Sequence, residues 1–215
     1  MSDITPDDLL EAYANGYFPM AEDRHDDAFF WIEPEERGVI PLDTFNIPRG
    51  LRKTLRDNPF TIRVDSACEE VIIACANSRR ETWINDEIIE LYSRLHHRGH
   101  VHSVECWQDN ALVGGLYGVS IGAVFCGESM FSRTSQASKV ALVHLVEILN
   151  EAGYTLLDTQ FVNDHLKQFG VQAIPQADYM KKLESALKVE PNPSSLFSTV
   201  SLRKGWATGS NSNST

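Results

Sequence analysis

Hydrophobic positions along the chain change period several times, and each change marks an element. Thr5-Pro6-Asp7-Asp8 offers a helix cap, a proline suited to the first helical position and acids for the first turn, with Leu9, Leu10 and Tyr13 following on one face. The spacing predicts a short helix that stops at Asn15-Gly16, after which Pro19 keeps Tyr17-Phe18-Pro19-Met20 non-helical. Phe29-Phe30-Trp31-Ile32 and Gly38-Val39-Ile40 read as strands. Leu51 and Leu55 give residues 49–57 a helical spacing that Asn58-Pro59 ends, and Thr61-Ile62-Arg63-Val64 alternates like a strand. Ser66 stands where it would cap a helix whose Cys68, Val71, Ile72 and Cys75 share a face.

Asn85 is a cap for a helix over 86–98 with Ile88, Ile89, Tyr92 and Leu95 on its apolar side. Asp109-Asn110 between the runs 103–108 and 111–119 is a hairpin signal, and a further strand is predicted over 123–126, ending at Gly127. The continuous apolar character of these runs predicts a sheet buried on both faces. From Ser135, the apolar positions Val140, Leu142, Val143, Leu145, Val146 and Leu149 predict a helix buried over much of its circumference and closed by Gly153. A short strand over 155–158 follows, then helices over 164–169, capped by Asn163, and 176–187. The fold class this order predicts is α+β, an open mixed sheet with helices packed on it. A small α/β lobe is expected over 1–65, a main domain over 66–206, and a disordered polar tail over 207–215.

Composition narrows the picture. With 215 residues, 42% hydrophobic and 23% charged, the chain can bury one good core or two small ones. It holds no apolar run long enough to span a bilayer, and its first residues lack the basic and apolar regions of a signal peptide, so a cytoplasmic protein without membrane attachment is expected. Cys68, Cys75, Cys106 and Cys126 sit in apolar runs without close pairing and are expected as buried free thiols. His96-His97 and His100-Val101-His102 lack familiar ligand spacing and are expected at a solvated helix end, so no metal is expected. The net charge of -11 argues against binding nucleic acid over the whole surface. A local basic patch remains open, since Arg49, Arg52, Lys53 and Arg56 fall close together and Arg79-Arg80 follow.

Candidate chemistry gathers late in the chain. Glu128 is a carboxylate directly after an apolar strand, where accepting backbone hydrogen bonds is the ordinary structural role. Asp158 and Gln160 are two apart and share a strand face if the extended backbone persists, with Thr159 opposite. Gly127-Glu128-Ser129-Met130-Phe131 matches a nucleophile elbow until its last position, where Phe131 replaces glycine. Neither a phosphate-binding loop with its lysine nor a dinucleotide fingerprint occurs, so no ATP or dinucleotide cofactor is expected. The implied substrate is one that is already activated.

The segments Gly114-Gly115-Leu116-Tyr117-Gly118-Val119, Phe125-Cys126-Gly127-Glu128-Ser129-Met130-Phe131-Ser132-Arg133, Ala137-Ser138-Lys139, Leu157-Asp158-Thr159-Gln160 and Asn163-Asp164-His165 resemble the hallmark segments of the leucyl/phenylalanyl-tRNA-protein transferase family. Gly16-Tyr17-Phe18-Pro19, Trp31-Ile32-Glu33-Pro34, Thr82-Trp83-Ile84 and the run from His100 to Glu105 support the likeness, which covers the chain from about Leu9 to Tyr179. The resemblance implies an acetyltransferase-like fold of the GNAT superfamily behind a small α/β lobe. The implied activity moves leucine, phenylalanine or methionine from aminoacyl-tRNA onto a protein with N-terminal arginine or lysine, marking it for degradation. No cofactor is implied, because an aminoacyl ester carries its own activation, and a monomer is expected.

By the same resemblance, Asp158 and Gln160 orient the attacking amine and relay its proton, and Glu128 lies at the aminoacyl end. Met20, Trp83, Leu116, Phe125, Leu142 and Leu157 are placed around the side chain and the terminal adenine, and Arg52, Lys53, Arg56 and Arg80 are candidates for RNA contact. Plain core packing is the competing explanation for each apolar position. Met20 and Thr159 depart from the tryptophan and cysteine common in the family. Two other classes stay open: a non-catalytic binder of aminoacyl-tRNA or basic N-termini, and an acetyl-CoA-dependent N-acetyltransferase. The latter needs a phosphate loop that residues 133–138 do not supply.

Overall fold

A computed structural model describes residues 4–21, 24, 30–79 and 82–192. The elements are, in order, α1 (Pro6–Ala14), β1 (Phe18–Met20), β2 (Phe30–Ile32), β3 (Glu36–Ile40), α2 (Arg49–Asp57), β4 (Thr61–Val64), α3 (Cys68–Asn77) and α4 (Asp86–His97). Then come β5 (Val101–Gln108), β6 (Ala111–Ile121), β7 (Val124–Ser132), α5 (Ala137–Ala152), β8 (Leu156–Gln160), α6 (Asp164–Lys167), β9 (Gln172–Pro175) and α7 (Gln176–Leu187). The predicted caps form. Thr5 and Asp8 make a reciprocal capping box on α1, the Asn85 side chain accepts from Ile88 N–H, and Asn163 accepts from Leu166 N–H. Asn58 and Gly153 close α2 and α5 in the left-handed conformation.

Seven strands build one mixed sheet in the order β4-β5-β6-β7-β8-β3-β9, and β1 pairs with β2 in a separate ribbon. All neighbours in the large sheet are antiparallel except β7 and β8, whose parallel pairing needs the crossover that α5 provides. The border expected at residue 65 falls inside this sheet, because β3 and β4 hydrogen-bond to strands of the later segment. No change in hydrophobic period marks that pairing in the sequence. The predicted burial of both sheet faces holds: α5 covers β5, β6 and β7 on one side, while α3 and α4 pack on the other. Successive residues of β6 enter different cores, Leu116 the one under α5 and Tyr117 the one under α3.

Two local expectations fail for identifiable reasons. Ser66 does not cap α3. Its hydroxyl donates to Glu105, and the same buried carboxylate accepts Ala67 N–H at 2.7 Å, so a neighbouring strand ties down the helix start. The predicted strand end at Gly127 is instead a point inside β7, which continues to Ser132. The four cysteines are free and buried as expected. Trp206 and the tail 207–215 lie outside the described residues. No helix among the described residues is long and apolar enough to cross a membrane.

Gly118 is fixed by close approach, since a Cβ there would collide with the Cys126 carbonyl oxygen and the Phe125 ring. Gly118→Ala should destabilise the chain by about 1–3 kcal/mol through overpacking, read as a lower urea midpoint at unchanged slope.

Candidate active site

The site exists because the sheet comes apart. Parallel pairing between β7 and β8 runs only from Val124 and Leu156 to Cys126 and Asp158. Beyond that point β7 stays with β6 and β8 stays with β3, so the two strands separate. A β-bulge follows on each. Tyr117 faces Ser129 and Gly118 faces Gly127, which leaves Glu128 as the extra residue of β7. Gly38 faces Gln160 and Val39 faces Asp158, which leaves Thr159 as the extra residue of β8. Gln160 has a positive φ of 55°, so the extended backbone expected from Asp158 to Gln160 does not persist.

A cavity of about 410 Å³ occupies the gap. Its apolar wall includes Met20, Trp83, Leu116, Leu142 and Leu157, and Gly127, Glu128, Thr159 and Gln160 supply backbone and polar groups. Arg79, Lys139 and His165 also border it. Five of the six apolar positions named from the sequence therefore line one space. Phe125 does not. It is 1% exposed and packs in the core under α5.

Glu128 and Gln160 meet: Gln160 Nε2 donates to Glu128 Oε1 at 3.1 Å. Tyr13 Oη donates to the same oxygen at 2.8 Å, and Tyr92 Oη to Oε2 at 3.3 Å, while the two phenols lie 2.5 Å apart. Burial pushes the Glu128 carboxyl up from 4.5 to about 8; the Tyr13 hydrogen bond opposes that rise, the charge of Asp158 adds to it, and Arg37 and Tyr92 pull it back. Burial, then the charge of Glu128, holds both phenols well above their ordinary range, so they remain donors.

Asp158 is not among the cavity-lining residues and is fully buried. Arg37, also fully buried, reaches it through Nε at 2.9 Å and Nη2 at 2.6 Å. Tyr179 Oη and the Gln160 N–H complete its shell at 2.9 and 2.8 Å. Arg37 Nη1 donates to Gly16 O at 2.8 Å, and the guanidinium lies over the rings of Phe18 and Tyr179.

Arg37, Tyr13, Tyr92 and Tyr179 were not identified from the sequence. Tyr13 and Tyr92 lie on apolar helix faces and read as ordinary core, while Arg37 follows Pro34-Glu35-Glu36 and reads as solvated. The nearest thing to a signal is a cation immediately before the apolar run Gly38-Val39-Ile40.

Arg52, Lys53 and Arg56 are exposed on α2, away from the cavity wall, and Arg49, Arg52 and Arg56 line a second, shallower concavity. Arg80 lies outside the described residues. The histidine cluster departs from expectation, since His102 is buried, with Nδ1 2.7 Å from Asp65 Oδ2. Asp65, Cys68 and His96 bring donor atoms within 4.8 Å of one another, but Asp65 already serves His102 and Ser103 N–H, and His96 Nδ1 lies 2.8 Å from Val101 O. That cluster fastens the turn before α3.

Removing one partner of the buried pair leaves a charge unmatched. Arg37→Met should cost about 3–5 kcal/mol, and adding Asp158→Asn should recover part of it in denaturant titrations. Folded Glu128 holds its proton more tightly than an unfolded carboxyl, so its contribution to stability is full below pH 4.5 and is lost as pH rises through about 8. Glu128→Gln should flatten that part of the stability profile, measured as urea midpoints across the window.

The sequence comparisons agree with one another. The family description "Leucyl/phenylalanyl-tRNA protein transferase" matches residues 39–184, and its N-terminal domain matches residues 2–35. The leucyl/phenylalanyl-tRNA--protein transferase of Paramagnetospirillum magneticum is 55% identical over 87% of this chain and 91% of its own length. That of Phenylobacterium zucineum is also 55% identical, over 87% of this chain and 86% of its own. Among solved structures, L-PGS from Bacillus licheniformis matches at 13% identity and a TM-score of 0.40, over 83% of this chain and 62% of its own. On the two family matches and the two 55% identical relatives, this chain belongs to the leucyl/phenylalanyl-tRNA protein transferase family.

Proposed function

We propose that the protein transfers leucine, phenylalanine or methionine from aminoacyl-tRNA to the N-terminal arginine or lysine of an acceptor protein, which marks that protein for degradation. The observation that carries this reading is the cavity itself, an apolar chamber that ends on the joined side chains of Gln160 and Glu128. An aminoacyl ester needs no further activation, so the site has to hold ester and amine together and manage one proton. Met20, Leu116, Leu142 and Leu157 receive the side chain, and Trp83 stacks on the terminal adenine. Gln160 holds the amine. An apolar wall separates side chains that differ by one methylene by only about 1–3 kcal/mol, which fits acceptance of several apolar amino acids.

The RNA runs outward past Arg79 and Lys139, and α2 supplies further phosphate contacts through Arg52, Lys53 and Arg56, with Arg80 beside Arg79 in sequence. The strands β5 to β8 and the crossover helix α5 support an acetyltransferase-like arrangement of the main domain. The protein acts as a cytoplasmic monomer.

Purified protein incubated with labelled Leu-tRNA or Phe-tRNA should label peptides that begin with Arg or Lys and leave those that begin with Asp or Ala unlabelled. Absence of transfer to the basic peptides would sink the reading. Reversing the charge of Arg52, Lys53 and Arg56 together should weaken tRNA binding and reduce the slope of log K against log salt by about 2–3. An unchanged slope would remove α2 from the RNA path.

A further inference from the structure

We infer that the proton leaving the attacking amine is taken by Glu128, and that Asp158, held by Arg37, is a positioning residue. This rests on the transfer reaction proposed above.

Asp158 has no room for a proton. Its Oδ1 accepts from Arg37 Nε and Gln160 N–H, and its Oδ2 accepts from Arg37 Nη2 and Tyr179 Oη, the four bonds spanning 2.6 to 2.9 Å. A carboxylate offers about four lone-pair sites, so this shell fills it. Protonating Asp158 would break a charge-assisted fork with a guanidinium that stays ionised. The carboxylate is also fully buried, behind the backbone of Gln160. What it does is hold that backbone. Its bond to the Gln160 N–H steadies a residue whose φ of 55° is sparsely populated for side chains with a Cβ.

Glu128 is placed differently. It lines the cavity, and Oε1 receives Tyr13 and Gln160, whereas Oε2 receives only the long 3.3 Å bond from Tyr92. With Nε2 of Gln160 committed to Glu128, the amide oxygen of Gln160 is the atom left to accept an N–H from the incoming amine. The amine is thereby held beside the Glu128 carboxylate. Tyr13, Tyr92, Tyr117, Cys126, Asp158 and Arg37 are the titratable and charged groups that act on Glu128 or feel its charge. Their combined effect, with burial, brings its carboxyl to about 8, close to the roughly 7.7–8.0 of an α-amine. Proton exchange between groups so matched is nearly balanced.

The step closes. The amine nitrogen bonds to the ester carbonyl carbon, and the carbonyl electron pair moves onto oxygen. The N–H bond breaks, its proton passes to ionised Glu128, and its electron pair stays on nitrogen. The carbonyl re-forms as the bond to the ribose 3′ oxygen breaks. That oxygen takes the proton from Glu128, which returns to its ionised form.

The test is the pH dependence of single-turnover transfer by the full chain. It uses two acceptors, an Arg-peptide and an analogue whose terminal nitrogen is aminooxy and stays unprotonated across the range. The rate should fall on the acid side with a midpoint near 8 for both acceptors. With the aminooxy acceptor, Glu128→Gln should abolish that fall, and with either acceptor it should lower the rate about 100- to 10,000-fold. Tyr92→Phe removes a bond that lowers the Glu128 value and should move the midpoint upward. Asp158→Asn and Arg37→Met should slow transfer while keeping the acid-side fall, as positioning residues do. With the aminooxy acceptor, a fall that persists in Glu128→Gln, or one that vanishes in Asp158→Asn, overturns the assignment. Wild-type chain that transfers nothing at any pH overturns the reaction, and this inference with it.

Discussion

The structure depends on a buried ion pair. Arg37 and Asp158 are both inaccessible to solvent, and stripping water from two charges costs several kcal/mol for each. That cost is offset only if every polar atom finds a partner in good geometry. Here the partners come from widely separated segments: the carbonyl of Gly16 after α1, the phenol of Tyr179 on α7, and the peptide N–H of Gln160 on β8. Phe18 and Tyr179 both place their rings against the guanidinium. An unfolded or misregistered chain satisfies none of this at once, so the pair favours one mutual arrangement of α1, β1, β3, β8 and α7.

The same pair sets the shape of the site. Each bulge disturbs a ladder, and a disturbed ladder survives when something else fixes the strand. On β8, Asp158 supplies the fixing, because its carboxylate holds the N–H of Gln160 directly after the bulged Thr159. On β7, the side chain of the bulged residue itself is caught by Tyr13, Tyr92 and Gln160. The cavity is therefore a by-product of strands that part under restraint. Gly38 belongs to this design too, since a Cβ there would meet the Phe161 backbone at 2.7 Å.

Much of the local structure was legible in the sequence because caps and periods act over a few residues. Thr5 with Asp8, Asn85, Asn163 and Gly153 each mark a helix end with a side chain or a backbone preference that works within one turn. Glu128 and Gln160 stand out as polar groups at strand ends, take their roles from the family likeness, and meet in the fold. What stayed hidden depends on pairing between distant segments. Nothing near residue 37 announces that its strand lies between β8 and β9, and nothing near Ser66 announces that Glu105 will occupy its hydroxyl. The family likeness puts Phe125 around the aminoacyl side chain. In the fold it is core under α5 instead.

Apolar selectivity and proton handling share one physical cause in this arrangement. The residues that shape the chamber for a leucine-like side chain also exclude water, and exclusion of water raises the Glu128 carboxyl. A more open chamber would lower the selectivity and return Glu128 toward an ordinary carboxylate, a weaker acceptor. A fully sealed one would lift it beyond the reach of an amine. The phenols of Tyr13 and Tyr92 hold it between these limits by donating to it without carrying charge. Arg37 adds a favourable charge, yet the opposing charge of Asp158 more than offsets it, which is why the guanidinium does not drive Glu128 down to an ordinary value. The buried pair thus fixes geometry, and the charge of its aspartate helps to keep the Glu128 carboxyl high.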